Sequence, residues 1–283
     1  MAHHRRAELL SDRAALRTRM AAWRESHQIV ALVPTMGALH EGHLSLVRLV
    51  AARADRLLVS IFVNPAQFTP SEDFSAYPRT LEADREKLGT AVDAIYCPPV
   101  ADIYPADFVT SISLEGPATT GLEDRFRPTH FKGVATVVAK LFLQTTPHLA
   151  VFGEKDFQQL CVIRQMVRDL ELPVNVVAAP TIREVDGLAM SSRNVYLSEA
   201  ERAVAPLIYH TLTQCAERLR QGDEASRVLA EGVAILEKSG FSVDYLEWRQ
   251  ADTLLPATTI EQPTRVLVAA RIGATRLIDN IAV

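Results

Sequence analysis

Two histidines, His40 and His43, lie in the part of the sequence best suited to chemistry. They belong to P-T-M-G-A-L-H-E-G-H (residues 34–43), between a β-branched apolar run at residues 29–33 and a long apolar segment. This order predicts a strand, a tight turn and a helix, and the unpaired N–H groups at such a helix start attract anions. Residues three apart share one helix face, so both imidazoles can address one anionic group, with Gly42 permitting close approach.

A metal site is the main alternative for these histidines. A helical zinc site of the H-E-x-x-H type needs imidazoles four residues apart, whereas H-E-G-H is one residue short. A purely structural pair is the other alternative, although core histidines seldom flank glycine in a strand-to-helix turn. No cysteine lies in the polar clusters, and the sequence has neither a Walker A loop nor G-x-G-x-x-G.

Two further clusters follow predicted strands. F-V-N-P-A-Q-F (residues 62–68) offers Asn64 and Gln67 as neutral hydrogen-bond partners for a polar substrate. G-E-K-D-F-Q-Q (residues 153–159) places Lys155 where a strand gives way to a helix, and its mobile point charge suits a triphosphate. The alternatives are a capped turn and a solvated surface turn.

A fourth cluster, M-S-S-R-N (residues 190–194), lies where the sequence changes character. Two hydroxyls and a guanidinium on a mobile segment could close over phosphates and bind more strongly as charge develops on a leaving group. A polar linker between domains is the alternative.

Strands and helices alternate up to about residue 180. The predicted strands are residues 29–33, 56–63, 94–97, 149–153 and 174–179, with a peripheral strand at 110–114. This alternation predicts an α/β fold with a Rossmann-like, doubly wound parallel sheet that binds ligands beyond the carboxyl ends of its strands. Helices at 198–220 and 225–238 and three short strands then predict a smaller α+β domain. We predict domains at residues 1–181 and 182–283.

Composition narrows the class of protein. The net charge of −4 over 283 residues argues against a nucleic-acid surface, and no apolar run approaches the roughly 20 residues that span a bilayer. The N-terminal residues 1–10 lack the apolar core of a secretory signal. Three widely spaced cysteines, Cys97, Cys161 and Cys215, fit reduced thiols, so we expect a cytoplasmic protein.

The clusters together resemble a known family. H-x-G-H after a first Rossmann strand is similar to the nucleotidyltransferase superfamily that includes class I aminoacyl-tRNA synthetases, and M-S-S-R resembles a variant of their phosphate-closing motif. Six blocks in order resemble the pantothenate synthetase (pantoate–β-alanine ligase) family: P-T-M-G-A-L-H-E-G-H, F-V-N-P-A-Q-F, Y-P-R-T, R-P-T-H-F, G-E-K-D-F-Q-Q-L and M-S-S-R-N-V-Y-L.

The resemblance implies a two-step ligation by a homodimer. ATP and pantoate would form pantoyl adenylate and pyrophosphate, and the amine of β-alanine would then displace AMP to give pantothenate. Closure of the small domain would protect the adenylate from water. Mg²⁺ would accompany ATP.

The resemblance also assigns residues. The nucleotide site would comprise Met36, Gly37, His40, Gly42, His43, Gly153, Glu154, Lys155, Asp156, the backbone near Ile182, Met190, Ser191, Ser192 and Arg193. His40, His43, Lys155, Ser191, Ser192 and Arg193 would act on the reacting phosphates. Substrate contacts would come from Met36, Asn64, Gln67 and Gln159, with Arg127 and His130 beside the amine site. Asp84 is the candidate for magnesium, because hard divalent ions prefer carboxylate oxygens.

The role of His43 stays open at this point. The family pattern treats His43 as the acid, but the attacking carboxylate has no proton to give up, which favours electrostatic stabilisation. A cytidylyltransferase-like enzyme is one rival, although it would want a basic pocket where Gln67 and Gln159 are neutral. A nucleotide-binding regulatory module without turnover is the other.

Overall fold

The computed structural model describes residues 6–68, 74 and 77–283 in two compact units. Within this range the first unit draws on Met1–Leu114, Arg127–Gly153 and Val162–Ala179, and the second on Glu115–Phe126, Glu154–Cys161 and Pro180–Val283. The second unit therefore includes two segments that precede the predicted domain boundary. Residues 1–5 lie outside the described range. They are part of residues 1–10, for which the sequence predicted no secretory signal.

A six-stranded parallel sheet forms the first unit. Its strands are β1 (Glu8–Leu10), β2 (Val30–Thr35), β3 (Arg56–Ile61), β4 (Ala94–Tyr96), β5 (Leu149–Gly153) and β6 (Asn175–Ala179). They lie in the order β1-β4-β3-β2-β5-β6, so the chain changes direction across the sheet between β2 and β5. This confirms the predicted Rossmann-like fold, in which such a switch point is the usual ligand site.

The α-helices of the described residues belong to both units. They are α1 (Arg13–Glu25), α2 (Glu41–Ala51), α3 (Leu81–Leu88), α4 (Val100–Ile103), α5 (Glu123–Phe126), α6 (His130–Thr145), α7 (Phe157–Asp169), α8 (Glu199–Val204), α9 (Leu207–Arg220) and α10 (Ala225–Lys238). Helix α2 places Leu46, Val47 and Val50 in one core cluster with Val33 of β2 and Val59 of β3. Burial of these aliphatic side chains stabilises the position of the β2–α2 turn.

The second unit has its own antiparallel sheet of β7 (Phe241–Gln250), β8 (Thr264–Ile272) and β9 (Thr275–Ala282), in that order. Side chains of α9 and α10, including Leu212 and Leu236, share a core cluster with Trp248 and Val268 of the sheet. The smaller α+β part predicted from the sequence is therefore present.

Two local predictions differ from the structure. The helix predicted at residues 198–220 is divided into α8 and α9, because Pro206 has no N–H to continue the helix and instead occupies the N-cap of α9. Residues 110–114 form no strand, and β1 replaces them as a strand at the sheet edge. Over the described residues, no helix combines the length and apolar character needed to cross a bilayer.

Candidate active site

The turn between β2 and α2 has a conformation that its sequence requires. Gly37 and Ala38 both have positive φ angles, 85° and 50°. A Cβ atom at Gly37 would lie 3.1 Å from Ile61 Cγ2 and 3.2 Å from Asp84 Oδ2, so glycine is favoured by both angle and space. His40 follows as the N-cap of α2.

Both imidazoles accept backbone hydrogen bonds through Nδ1. The Gly42 N–H donates to His40 Nδ1 over 3.2 Å, and the His40 N–H donates to His43 Nδ1 over 3.3 Å. An accepting nitrogen carries no proton, so each neutral ring carries its proton on Nε2. The ring centroids lie 4.1 Å apart, so the two imidazoles are neighbours at the start of α2.

Side chains of helix α3 hold the backbone of this turn. The buried Asp84 carboxylate accepts the N–H of Ala38 over 2.9 Å and the N–H of Leu39 over 2.7 Å. Thr80 Oγ1 donates to the same carboxylate over 3.2 Å, and Lys87 Nζ donates to the Leu39 carbonyl over 2.6 Å. Charge-assisted bonds of this kind are stronger than neutral ones, so α3 holds the turn firmly.

Several backbone N–H groups of this turn have partners within the protein. The N–H groups of Ala38, Leu39 and Gly42 donate to side chains of the protein itself. Within the first turn of α2, the N–H groups of His43 and Leu44 donate to the His40 carbonyl. Anion binding at this helix start stays a prediction.

The surroundings of Asp84 do not support its prediction as a magnesium ligand. The residue is fully buried and both oxygens accept backbone N–H groups, whereas a hard cation needs oxygen ligands open to water and phosphate. Across residues 6–68, 74 and 77–283, no group of three or more His, Cys, Asp or Glu side chains could hold a metal ion. The Asp84 carboxylate therefore supports the turn, and its contact with magnesium stays a prediction.

Asn64 uses all four of its hydrogen-bonding positions within the protein. Its Nδ2 donates to Gln67 Oε1 over 3.1 Å and to the Gly133 carbonyl over 3.2 Å. Its Oδ1 accepts the Ala66 N–H over 3.3 Å and the Tyr104 hydroxyl over 2.8 Å. Asn64 therefore supports Gln67 and Tyr104 in this structure, and its contact with substrate stays a prediction.

The Asn64 contact determines how Gln67 presents its amide. Because Oε1 accepts from Asn64, Nε2 points to the other side, where it lies 3.1 Å from Met36 Sδ. A thioether is a weak acceptor, so Gln67 offers N–H groups to a stronger one such as a hydroxyl or carboxylate. Burial raises the pKa of Tyr104 to about 12, so that hydroxyl stays a donor to Asn64 well into alkaline pH.

Arg127 and His130 hold the backbone of Gln67. Arg127 Nη1 lies 3.3 Å from His130 Nε2, and His130 Nδ1 lies 3.0 Å from the Gln67 carbonyl. Since a guanidinium only donates and a carbonyl only accepts, neutral His130 carries its proton on Nδ1. Gly133 lets α6 approach closely, because a Cβ there would lie 2.1 Å from the Ala66 carbonyl oxygen.

In the second unit, the Lys155 segment is a short 3₁₀ helix, Glu154–Asp156, reached as the chain leaves β5 at Gly153. Lys155 is half-buried, with Nζ 3.8 Å from Asp156 Oδ2. Glu154 forms a 2.8 Å ion pair with Arg265 of β8. The backbone conformation of this segment is therefore supported by the C-terminal sheet.

A hairpin leads to the M-S-S-R segment of the second unit. The Met190 N–H donates to the Ile182 carbonyl over 3.0 Å, which closes the hairpin. Arg183 within it forms two hydrogen bonds, of 2.5 and 3.0 Å, with the buried Asp279 carboxylate. Burial raises the pKa of Asp279, and the Arg183 guanidinium opposes that shift.

The serines and arginine of this segment open a second 3₁₀ helix, Ser192–Tyr196. Ser191 is its N-cap, and its Oγ accepts the Arg193 N–H over 3.2 Å. Asn194 Nδ2 donates to the Ala189 carbonyl over 3.1 Å. The cluster is thus a built turn and not only a polar linker.

The two glutamines at the start of α7 have different surroundings. Gln158 is buried, and its amide bonds to the Pro117 carbonyl, the Asp124 carboxylate and the Glu123 N–H. Gln158 therefore has a structural role. Gln159 is half-buried, as a ligand-binding side chain should be.

Sequence reasoning missed several residues that hold these segments. Lys87 and Gly133 act in the first unit, and Asn280 in the second donates to the Glu154 and Lys155 carbonyls. A glycine inside the apolar helix α6 was a signal of close approach. Consecutive Asp279 and Asn280 were another, because neighbours in a strand face opposite sides and one must turn inward.

The parallel sheet and the β2–α2 turn indicate the class of protein. A parallel α/β sheet with donor side chains at its switch point is typical of proteins that bind phosphate-bearing ligands at the carboxyl ends of their strands. A family model described as pantoate-beta-alanine ligase matches residues 8–282. The chain therefore belongs to the pantoate–β-alanine ligase family, as the six sequence blocks predicted.

Individual relatives agree with this membership. A pantothenate synthetase of Rhodopseudomonas palustris (strain BisA53) is 57% identical over 271 residues, covering 95% of this chain and 96% of the relative. The crystal structure of a pantothenate synthetase from Thermus thermophilus has a TM-score of 0.91 at 46% identity and covers 97% of this chain and 98% of its own. A Francisella tularensis pantoate-beta-alanine ligase, crystallised with beta-gamma ATP and beta-alanine, has a TM-score of 0.83 at 32% identity, with 97% of each chain covered.

Proposed function

We propose that this chain condenses pantoate with β-alanine at the expense of ATP through a pantoyl adenylate. In the first step, a pantoate carboxylate oxygen attacks the α-phosphorus of ATP, and the bond to the bridging oxygen of pyrophosphate breaks. In the second, the amine of β-alanine attacks the acyl carbon, loses a proton and displaces AMP. The donor groups of each unit match the charges that these steps develop.

The first unit supplies donors for the acid and for the reacting phosphates. Gln67 Nε2 binds an oxygen of pantoate, because its amide is locked by Asn64 with the donor outward. Met36 forms part of the wall of the pantoate site. His40 and His43 donate Nε2–H bonds to phosphate oxygens, which follows from the backbone bonds to both Nδ1 atoms.

The second unit supplies positive charge for the leaving group. Lys155 carries an ammonium, and Ser191, Ser192 and Arg193 add hydroxyls and a guanidinium on a capped turn. Charge builds on pyrophosphate as its bond to the α-phosphorus breaks, so these groups bind the transition state more tightly than ATP. Gly153, Glu154, Asp156, the Ile182 backbone and Met190 complete the nucleotide contacts, and Gln159 assists Gln67 with pantoate.

His43 acts as a hydrogen-bond donor and not as an obligate acid. The attacking carboxylate has no proton to lose, and pyrophosphate leaves as an anion that needs stabilisation more than protonation. The Nε2 proton of His43 can strengthen its bond to phosphate without being transferred. His40 carries the same tautomer and contributes the same way.

Arg127 and His130 act through the backbone of Gln67. Their bonds to its carbonyl fix the backbone from which the amide projects. This supports the predicted wall beside the β-alanine site without requiring either side chain to touch the amine.

Magnesium, location and assembly complete the proposal. Mg²⁺ enters with ATP, bound by phosphate oxygens and water, since the cation prefers to keep several waters. Cys97, Cys161 and Cys215 form no disulfide, which suits the cytoplasm. The homodimer implied by the family resemblance is tested by sedimentation.

The observation that carries the proposal is the pair of histidines with matched Nε2–H donors at the switch-point turn. The experiment supplies pantoate and Mg-ATP without β-alanine and measures pyrophosphate. We expect pantoate-dependent pyrophosphate, followed by AMP and pantothenate when β-alanine is added. Release of ADP and phosphate, or no pantoate-dependent pyrophosphate, would sink the proposal.

A further inference from the structure

The C-terminal strand β9 holds the backbone of the Lys155 segment. Asn280 Nδ2 donates to the carbonyl oxygen of Glu154 over 2.8 Å and to that of Lys155 over 3.0 Å. Its Oδ1 accepts from Arg265 over 2.6 Å, and the side chain is 3% exposed. A buried amide with these partners has one orientation and restrains two successive carbonyls.

The neighbouring residue holds the other phosphate-binding segment of the same unit. Asp279 accepts two bonds from Arg183, which belongs to the hairpin that leads to Met190. Asp279 Oδ1 also accepts the Asn280 N–H over 2.8 Å. Two consecutive residues of β9 thus connect the Lys155 segment and the M-S-S-R segment through one hydrogen-bond network.

We propose that Asn280 is a positioning residue for adenylate formation, acting through Lys155. The inference rests on the function proposed above and adds a residue that touches neither substrate nor reacting atoms. An amide suits this role because it holds carbonyls without placing a charge beside the ammonium of Lys155. Catalysis by a charged group depends on placement, and a displacement of about 1 Å can cost about 100-fold in rate.

The test separates the two chemical steps. In Asn280→Ala, we expect pyrophosphate formation from pantoate and Mg-ATP to slow by about 10- to 100-fold. Aminolysis of supplied pantoyl adenylate by β-alanine should change by less than about threefold, because the triphosphate has already left. Asn280→Asp should be at least as slow as Asn280→Ala, since it turns a carboxylate oxygen toward two carbonyl oxygens.

The control removes a buried hydrogen bond of the same unit elsewhere. Thr264 accepts the indole N–H of Trp248 over 2.8 Å and has no part in the proposed site, so Thr264→Val should lower thermal stability while both steps retain wild-type rates. If Asn280→Ala does not fold, Asn280→Ser keeps an O–H donor and serves the same comparison, with a smaller loss confined to adenylation.

A double-mutant cycle with Lys155→Ala decides whether Asn280 acts through Lys155. We expect the double variant and Lys155→Ala to form adenylate at rates within about threefold of each other. If Asn280 acts only by placing Lys155, its loss has no further effect once the Lys155 side chain is gone. Additive losses, or equal slowing of both steps in Asn280→Ala, would overturn the inference. Absence of pantoate-dependent pyrophosphate in the wild-type protein would instead overturn the proposed function, so the two failures are distinguishable.

Discussion

The histidine turn after β2 and the lysine segment after β5 are held in place by opposite means. The Asp84 carboxylate, 45 residues after Leu39 in the sequence, accepts the backbone N–H groups of the histidine turn. The lysine segment is fixed through its carbonyls by an amide, Asn280, from 125 residues beyond Lys155. Each holding group complements the backbone polarity that it meets.

In both regions, the negative charges near the proposed phosphate-binding groups are engaged by other parts of the protein. Asp84 has both oxygens engaged by the turn, and Lys87 on the same helix binds the Leu39 carbonyl. Asn280 adds no charge near Lys155, and the nearby Glu154 carboxylate is paired with Arg265. Every contact in each set lies within one unit.

Removing the lysine charge should have the largest effect. We expect Lys155→Ala to slow adenylate formation by about 100-fold or more, the scale for losing a charge-stabilising contact in a transition state. Pyrophosphate release in a single turnover measures this. Lys238→Ala, on the exposed face of α10, is the matched loss of a lysine and should retain the wild-type rate. A near-wild-type rate for Lys155→Ala would remove Lys155 from the mechanism.

Disrupting the histidine turn should cost somewhat less. Asp84→Asn replaces one acceptor with an N–H₂ group that faces a backbone N–H, so we expect adenylate formation to slow by about 10- to 100-fold through displaced imidazoles. The Mg²⁺ concentration for half-maximal activity should not change. Asp93→Asn is the control, because Asp93 accepts the Leu57 N–H elsewhere in the same unit.

A raised Mg²⁺ requirement in Asp84→Asn alone would contradict the structural role of Asp84 and restore it as a metal ligand. Equal losses in the Asp84 and Asp93 variants would show that the effect is one of general stability.

A smaller effect is expected where α6 approaches the Gln67 segment. A Cβ in Gly133→Ala would lie 2.1 Å from the Ala66 carbonyl, so the free energy of unfolding should fall by about 1–3 kcal/mol. The KM for pantoate should rise while the KM for ATP changes less, because the displaced residue is Gln67. Unchanged stability and an unchanged KM for pantoate would refute this close approach.

The smallest effect reports the charge on Asp84. Burial raises the pKa of the Cys97 thiol, and the Asp84 carboxylate raises it further. Neutralising Asp84 in Asp84→Asn should therefore lower the Cys97 pKa and increase its thiolate fraction at a given pH. The pH dependence of thiol alkylation measures this, and Asn280→Ala should leave it unchanged. A Cys97 pKa that does not fall would indicate that no negative charge lies at Asp84.

The sequence predicted what depends on local pattern. The strand, turn and helix around His40 and the parallel sheet followed from apolar runs and their interruptions, and Gly37 has the positive φ that its turn requires. The matched histidine tautomers follow from bonds within three residues, so the spacing of His40 and His43 contained that information.

What escaped prediction depends on contacts between distant parts of the chain. Asp84 lay in a polar helix with no local sign of its partners, and Asn280 lay in a strand whose pairing fixes its direction only in the folded unit. Asn64 was predicted to contact substrate because an amide beside a strand end suits that purpose, but its four bonds are satisfied by groups up to 69 residues away. Periodicity does not report such pairings.

Transfer of ¹⁸O from pantoate to AMP is the most direct test of an acyl adenylate formed from pantoate and ATP. Pantoate labelled with ¹⁸O in its carboxylate is converted with ATP and β-alanine, and the AMP is analysed by mass spectrometry. We expect one ¹⁸O atom from pantoate in the phosphate of each AMP, because the attacking oxygen stays on phosphorus when the amine displaces AMP from the acyl carbon. Unlabelled AMP, with the isotope in another product, would contradict it.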